Sequence, residues 1–77
     1  MTRQEFIAKF ETLVEVDPGT LTGDSLLGQD IHWDSMAIVG FIAMVDENMG
    51  FTPAPKDIVK SKTVNDLISI VSLGIKG

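Results

Sequence analysis

Apolar residues near the start of the chain recur at helical spacing: Phe6, Phe10, Leu13 and Val14 follow Thr2-x-x-Glu5, a capping box in which each side chain satisfies the other residue's backbone N–H. The pattern predicts a first helix from about Arg3 to Glu15. Asp17-Pro18-Gly19 stops it, because proline removes a ladder donor and glycine takes turn geometries at little cost. The connection that follows, to about Trp33, is long for a small domain. Leu21, Leu26 and Leu27 within it can pin it to a core, which predicts an ordered loop crossing the bundle.

Asp34 is a good N-cap, Ser35 to Met49 contains no proline, and Gly50 followed by Phe51 is a helix-stop signature, so a second helix is predicted over 35–49. A helical wheel puts Ile38, Phe41, Ile42, Val45 and Met49 on the core arc and Met36, Gly40, Ala43 and Met44 away from it. Pro53, Ala54 and Pro55 break the chain, and Lys56 to Lys60 is long enough for a short third helix. Thr63 with Asp66 repeats the capping pattern. Val64, Leu67, Ile68, Val71 and Ile75 then line one face of a last helix that frays near Gly74. With no internal repeat or linker, residues 1–77 read as one all-α domain: a four-helix bundle with a long ordered loop between helices 1 and 2 and a short helix 3.

Composition narrows the chemistry. Ordering a residue costs about 1.5 kcal/mol, so 77 residues that are 44% hydrophobic need most apolar side chains in one core, and a deep enclosed active site is not expected. Eleven acidic against six basic side chains, net charge -5, argue against nucleic acid and toward basic protein surfaces as partners. No cysteine and one histidine exclude a disulfide framework and a zinc site. A basic-then-apolar leader is absent, as is an apolar run near the roughly 18 residues of a membrane span, so a cytoplasmic location and no membrane span are expected.

Three familiar motifs fail. Gly19, Gly23 and Gly28 lack the Gly-Lys-Ser/Thr and the preceding strand of a phosphate loop, and read as turn glycines. A calcium loop begun at Asp17 puts Gly19, Leu21 and Thr22 where oxygen ligands and the turn glycine belong. His32, between Asp30 and Asp34, could be a general base, but catalysis needs a nucleophile, a pocket and an oxyanion site as well; a solvated loop histidine fits better.

Ser35 lies in Trp33-Asp34-Ser35-Met36, where the long loop enters the second helix. Alone, a serine there is a capping or first-turn residue. The position also favours an anion, since free N–H groups and the helix dipole stabilise negative charge, and a phosphodiester on Ser35 would be welcome. Gly40 in the helix interior costs about 1 kcal/mol of propensity, and exposed methionines forgo up to about 2 kcal/mol of burial. The outer stripe of Met36, Gly40, Ala43 and Met44 therefore reads either as a contact surface or as scattered surface hydrophobes.

The length, the acidic charge, the long loop with Leu26-Leu27, the Asp34-Ser35-Met36 motif near mid-chain and Thr63-Val64-Asn65-Asp66-Leu67 opening the last helix together resemble the acyl carrier protein family over nearly the whole chain. The resemblance implies that Ser35 receives 4'-phosphopantetheine from coenzyme A through a separate phosphopantetheinyl transferase. The protein then carries acyl groups as thioesters on that arm and catalyses nothing itself. It implies that Asp34 helps present Ser35 and the transferase's magnesium ion. Met36, Gly40 and Met44 would contact acyl-loading, acyl-transfer or condensing enzymes, Asp46, Glu47 and Asp57 would supply acidic contacts, and a monomer is expected. Ala37 and Gly40 stand where the housekeeping fatty-acid carriers commonly have acidic residues, and Lys56, Lys60 and Lys62 make the third-helix region basic. These departures point to a specialised, stand-alone carrier of a lipid, polyketide or related pathway. The alternative from another class is an unmodified, small, acidic helical interaction module in which Met36 and Met44 matter and Ser35 does not. On the wheel, Met44→Glu is expected to cost little stability.

Overall fold

Four α-helices form over residues 1–75, the part of the chain that the computed structural model describes: α1 (Arg3–Leu13), α2 (Ser35–Met49), α3 (Pro55–Lys60) and α4 (Val64–Ile70), the last followed by a 3-10 turn at Ser72–Gly74. Among the described residues there is no strand; two isolated bridges, Leu26 with Thr63 and Leu27 with Ile31, are the extended pairings. No helix of the described chain is long and apolar enough to cross a membrane.

The helix starts follow local chemistry. Both capping boxes form, Thr2 with Glu5 at α1 and Thr63 with Asp66 at α4. Asp34 caps α2, and α3 opens on Pro55, whose missing N–H would be unpaired there in any case. The helix ends are less local. α2 stops at Gly50 in the left-handed conformation (φ 77°), as expected. α1 stops at Leu13 rather than Glu15: the Val16 N–H donates to the Glu11 carbonyl (3.0 Å) and the Glu15 N–H to the Thr12 carbonyl (3.3 Å). That pair of bonds is a Schellman motif, and it places Glu15 at φ 60°. The last helix is also shorter than expected. The α-helix ends at Ile70, and the buried Val71 and half-buried Ile75 are reached through the 3-10 turn.

The long loop, residues 14–34, is tethered across the molecule. The N–H groups of Val64 and Asn65, which have no partner inside α4, donate to the carbonyls of Ser25 (3.1 Å) and Gly23 (2.8 Å), and the Leu27 N–H donates to the Lys62 carbonyl (2.9 Å). At its other end the Leu21 N–H donates to the carboxylate of Glu11 (2.9 Å), a charged residue buried on α1. Leu21 and Ile31 enter the core and Leu27 is half-buried, whereas the Leu26 side chain stays exposed and only its backbone is engaged.

All four helices contribute to one core: Phe6 and Phe10 of α1, Phe41 and Val45 of α2, Ile58 of α3, and Val64, Leu67 and Ile68 of α4. An aromatic cluster lies at its centre. Phe41 meets Phe6 and Phe10 edge-on, each at 6.0 Å between centroids, and Trp33 from the loop meets Phe10 at 5.6 Å and Phe41 at 6.2 Å. Trp33 thereby fixes the stretch before α2 against α1, and with it the position of the first turn of α2.

Candidate functional site

Ser35 is the first residue of α2 and is exposed. Among the described residues neither its hydroxyl nor its N–H has a hydrogen-bond partner. The capping role that a serine here could have played belongs to Asp34, whose Oδ1 accepts from the Ala37 N–H at 2.9 Å. Its Oδ2 lies 2.8 Å from Nε2 of His32, which donates to it, a carboxylate being an acceptor only. The Ala37 N–H bond first, and the His32 bond after it, hold the Asp34 carboxyl below its ordinary range. Asp34 is therefore a carboxylate at neutral pH. His32 is 85% exposed in its side chain, the solvated loop histidine that was expected, with a defined partner.

Two depressions adjoin Ser35. One, of about 450 Å³, lies between the end of α1 and the start of α2 and is lined by Leu13, Val14, Glu15, His32, Asp34, Met36 and Ala37. The other, of about 210 Å³, is lined by Ser35, Met36 and Val39. Met36 belongs to both. It is 81% exposed and Val39 is 65% exposed, so two large apolar side chains stand in water within one turn of Ser35.

Of the residues singled out in the sequence, Ser35, Asp34 and Met36 are brought together. Gly40 and Met44 are not where the wheel put them. Gly40 is half-buried against α1, where a Cβ would stand 2.8 Å from Leu13 Cδ1, and Met44 is half-buried against the core. The outward stripe consists instead of Met36, Val39 and Ala43. Asp46 and Glu47 are exposed on the second half of α2, and Asp57 is exposed in the first turn of α3; none of the three lines either depression beside Ser35. Val39 and Glu15 were missed. Val39 was open to discovery by extending the wheel, whereas Glu15 gave no signal because it occupies a helix-stop position usually marked by glycine.

Compared with known proteins, the chain matches no family model, no curated protein and no solved structure at a significant level. Any functional reading therefore rests on the residues and geometry above.

Proposed function

We propose that this chain is an acyl-carrier-type protein, a four-helix carrier whose Ser35 is the attachment point of 4'-phosphopantetheine and which presents acyl groups to partner enzymes rather than transforming them. The observation that carries the reading is the state of Ser35. It is an exposed serine at the first position of a 15-residue helix, with hydroxyl and N–H both without a partner among the described residues, the cap being supplied by Asp34.

The residues present fit such a group. A free hydroxyl is available for esterification, and the N-terminus of α2 stabilises the negative charge of a phosphodiester. The apolar depression of Ser35, Met36 and Val39 adjoins the attachment point. When attached, the group supplies a thiol on which acyl groups are held as thioesters. Asp34 keeps the first turn of α2 formed and its carboxylate beside Ser35, where it helps present the serine and the magnesium ion brought by a phosphopantetheinyl transferase. Trp33 anchors the approach to that turn on Phe10 and Phe41.

Exposed Met36 and Val39 fit contacts with acyl-loading, acyl-transfer or condensing enzymes, with Asp46, Glu47 and Asp57 as acidic contacts farther along. The exposed Lys56, Lys60 and Lys62 support a specialised carrier, since they would repel the basic partners of a strongly acidic one. Gly40 carries less of that argument, its small size being explained by the close approach of Leu13.

The test is intact-protein mass spectrometry after incubation with coenzyme A, magnesium and a broad-specificity phosphopantetheinyl transferase. Addition of one phosphopantetheine, lost in Ser35→Ala, is the expected result. A folded wild-type protein left unloaded by an active transferase would overturn it in favour of an unmodified interaction module built on Met36 and Val39.

A further inference from the structure

Three of the six basic side chains of this acidic protein, Lys56, Lys60 and Lys62, fall within seven residues, in and just after α3. All three are exposed, and none makes an ion pair among the described residues. Lys56 and Lys60, one turn apart, form a row along the outward side of the helix, and Asp57 and Val59 lie on opposite flanks of that row. The Asp57 flank faces α4, where Asp57, Lys60, Ser61, Asp66 and Ile70 line a shallow depression. Asp66 there is engaged by the N–H groups of Lys62 (2.9 Å) and Thr63 (3.1 Å). The other flank is apolar: Val59 is 69% exposed, whereas Ile58 beside it is fully buried and anchors the helix in the core. Folding accounts for little of this face. Lys60 in the last turn suits the helix dipole, but Lys56 in the first turn opposes it, and an exposed β-branched valine adds nothing to a six-residue helix.

We propose that the outward face of α3 docks an acidic segment of another protein, which sets a large aliphatic side chain on Val59 and carboxylates against Lys56, Lys60 and Lys62. None of these residues lines either depression beside Ser35, so the inference goes beyond the carrier reading and does not rest on it. Charge complementarity decides the occupant. A basic surface is repelled by three lysines without ion-pair partners. An extended anionic surface, membrane or nucleic acid, attracts the lysines only within a screening length of about 8 Å and presses also on the rest of a chain whose net charge is -5. A segment of a few residues meets the lysines alone. Phosphate groups also leave Val59 in water, whereas a leucine or isoleucine between two carboxylates covers it while the lysine stems close around the contact. An acidic protein segment with an aliphatic centre therefore answers both features of the face.

The test is a titration of the isotope-labelled full chain with the peptide acetyl-Asp-Glu-Leu-Asp-Glu-amide and with its Asn-Gln-Leu-Asn-Gln counterpart, which keeps the shape and loses the charge. Saturable binding of the acidic peptide is expected, with amide shifts centred on Lys56, Val59, Lys60 and Lys62. Binding should be at least about fivefold weaker for the amide peptide, and for the acidic peptide on a Lys56→Gln, Lys60→Gln double variant. All the substituted positions are exposed, and circular dichroism of each variant checks the fold. A second comparison separates a docking face from a mere cluster of charge: replacing the peptide's leucine by alanine should weaken binding about threefold on the wild type and leave it unchanged on Val59→Ser. Shifts equally large at Lys9, equal binding of the two peptides, or no coupling between Val59 and the leucine would overturn the proposal. Two further results would also overturn it. If the same amides move on concentrating the protein alone and stop moving in an Asp46→Lys, Glu47→Lys variant, the occupant is a second copy of this chain. If phosphatidylserine vesicles sediment the wild type but not the lysine double variant, while the peptide does not bind, the occupant is a lipid surface.

Discussion

The two halves of α2 carry opposite loads. From Gly40 to Met49 the helix is a core element: Phe41 and Val45 are fully buried, Gly40 lies under Leu13, and Met44 and Met49 pack against the core. From Ser35 to Val39 only Ile38 packs against the core; the outward face is open, with the exposed Ser35, two exposed apolar side chains, Met36 and Val39, and two depressions that Met36 lines. The buried half and Trp33 hold the helix in place, so the open half needs few stabilising contacts of its own. A site built this way can lose its chemistry without losing the fold.

That separation is broken most severely at Phe41. Phe41→Ala removes the ring shared by Phe6, Phe10 and Trp33 and is expected to cost about 3–5 kcal/mol in chemical denaturation, a large part of a small domain's stability. Ser35→Ala, six residues earlier, should stay within about 0.5 kcal/mol of wild type while abolishing loading. A Ser35→Ala variant that melts like Phe41→Ala would mean that the first turn is structural after all.

Methionine makes the same comparison at matched chemistry. Met44→Glu puts a carboxylate at a half-buried position and is expected to cost about 1–3 kcal/mol, not the small amount that the wheel implied. Met36→Glu should leave stability within about 0.5 kcal/mol and act on partner transfer alone. Denaturant midpoints for the pair, with circular dichroism of each, give the readout.

The features legible in the sequence are those written within one turn of chain. Thr2 with Glu5, Thr63 with Asp66, Asp34 at α2 and Gly50 after it all satisfy backbone groups nearby, and the site's Asp34-Ser35-Met36 core came with them. What a wheel lacks is the position of the neighbouring helix, which is why Gly40 and Met44 were placed outside while Leu13 of α1 lies over Gly40. The end of α1 was misplaced for a related reason. Its stop is a Schellman motif closed around a glutamate, so no glycine marks it, and the proline that breaks the helical pattern, Pro18, lies farther along the chain. Glu11 is buried because a loop N–H from Leu21 arrives at its carboxylate, a meeting that depends on the loop's path across the molecule.

Acid titration tests the helix starts together. Backbone N–H bonds hold Glu5, Asp34 and Asp66 below their ordinary values of 4.5, 3.8 and 3.8. A carboxyl with a lowered folded pKa stabilises the protein above its unfolded pKa and loses that contribution as pH falls through the folded value. Melting temperature should therefore vary little with these groups from neutrality to about pH 5 and fall below about pH 4. Asp34→Asn keeps a capping oxygen without the titration, so its acid decline should be shallower than that of the wild type. An identical acid profile would remove Asp34 from the groups that hold the open half of α2 together.

The smallest effect concerns the other wall of the site. α1 and α2 both end on a left-handed residue, Glu15 at φ 60° and Gly50 at φ 77°. Glu15→Gly removes the clash between Cβ and the following carbonyl, partly offset by the greater freedom of glycine in the unfolded chain, for an expected gain of about 1 kcal/mol. A small rise in melting temperature would mean that the left-handed backbone at Glu15 is strained, as its φ of 60° implies. No rise would mean that the Schellman geometry accepts glutamate at no cost.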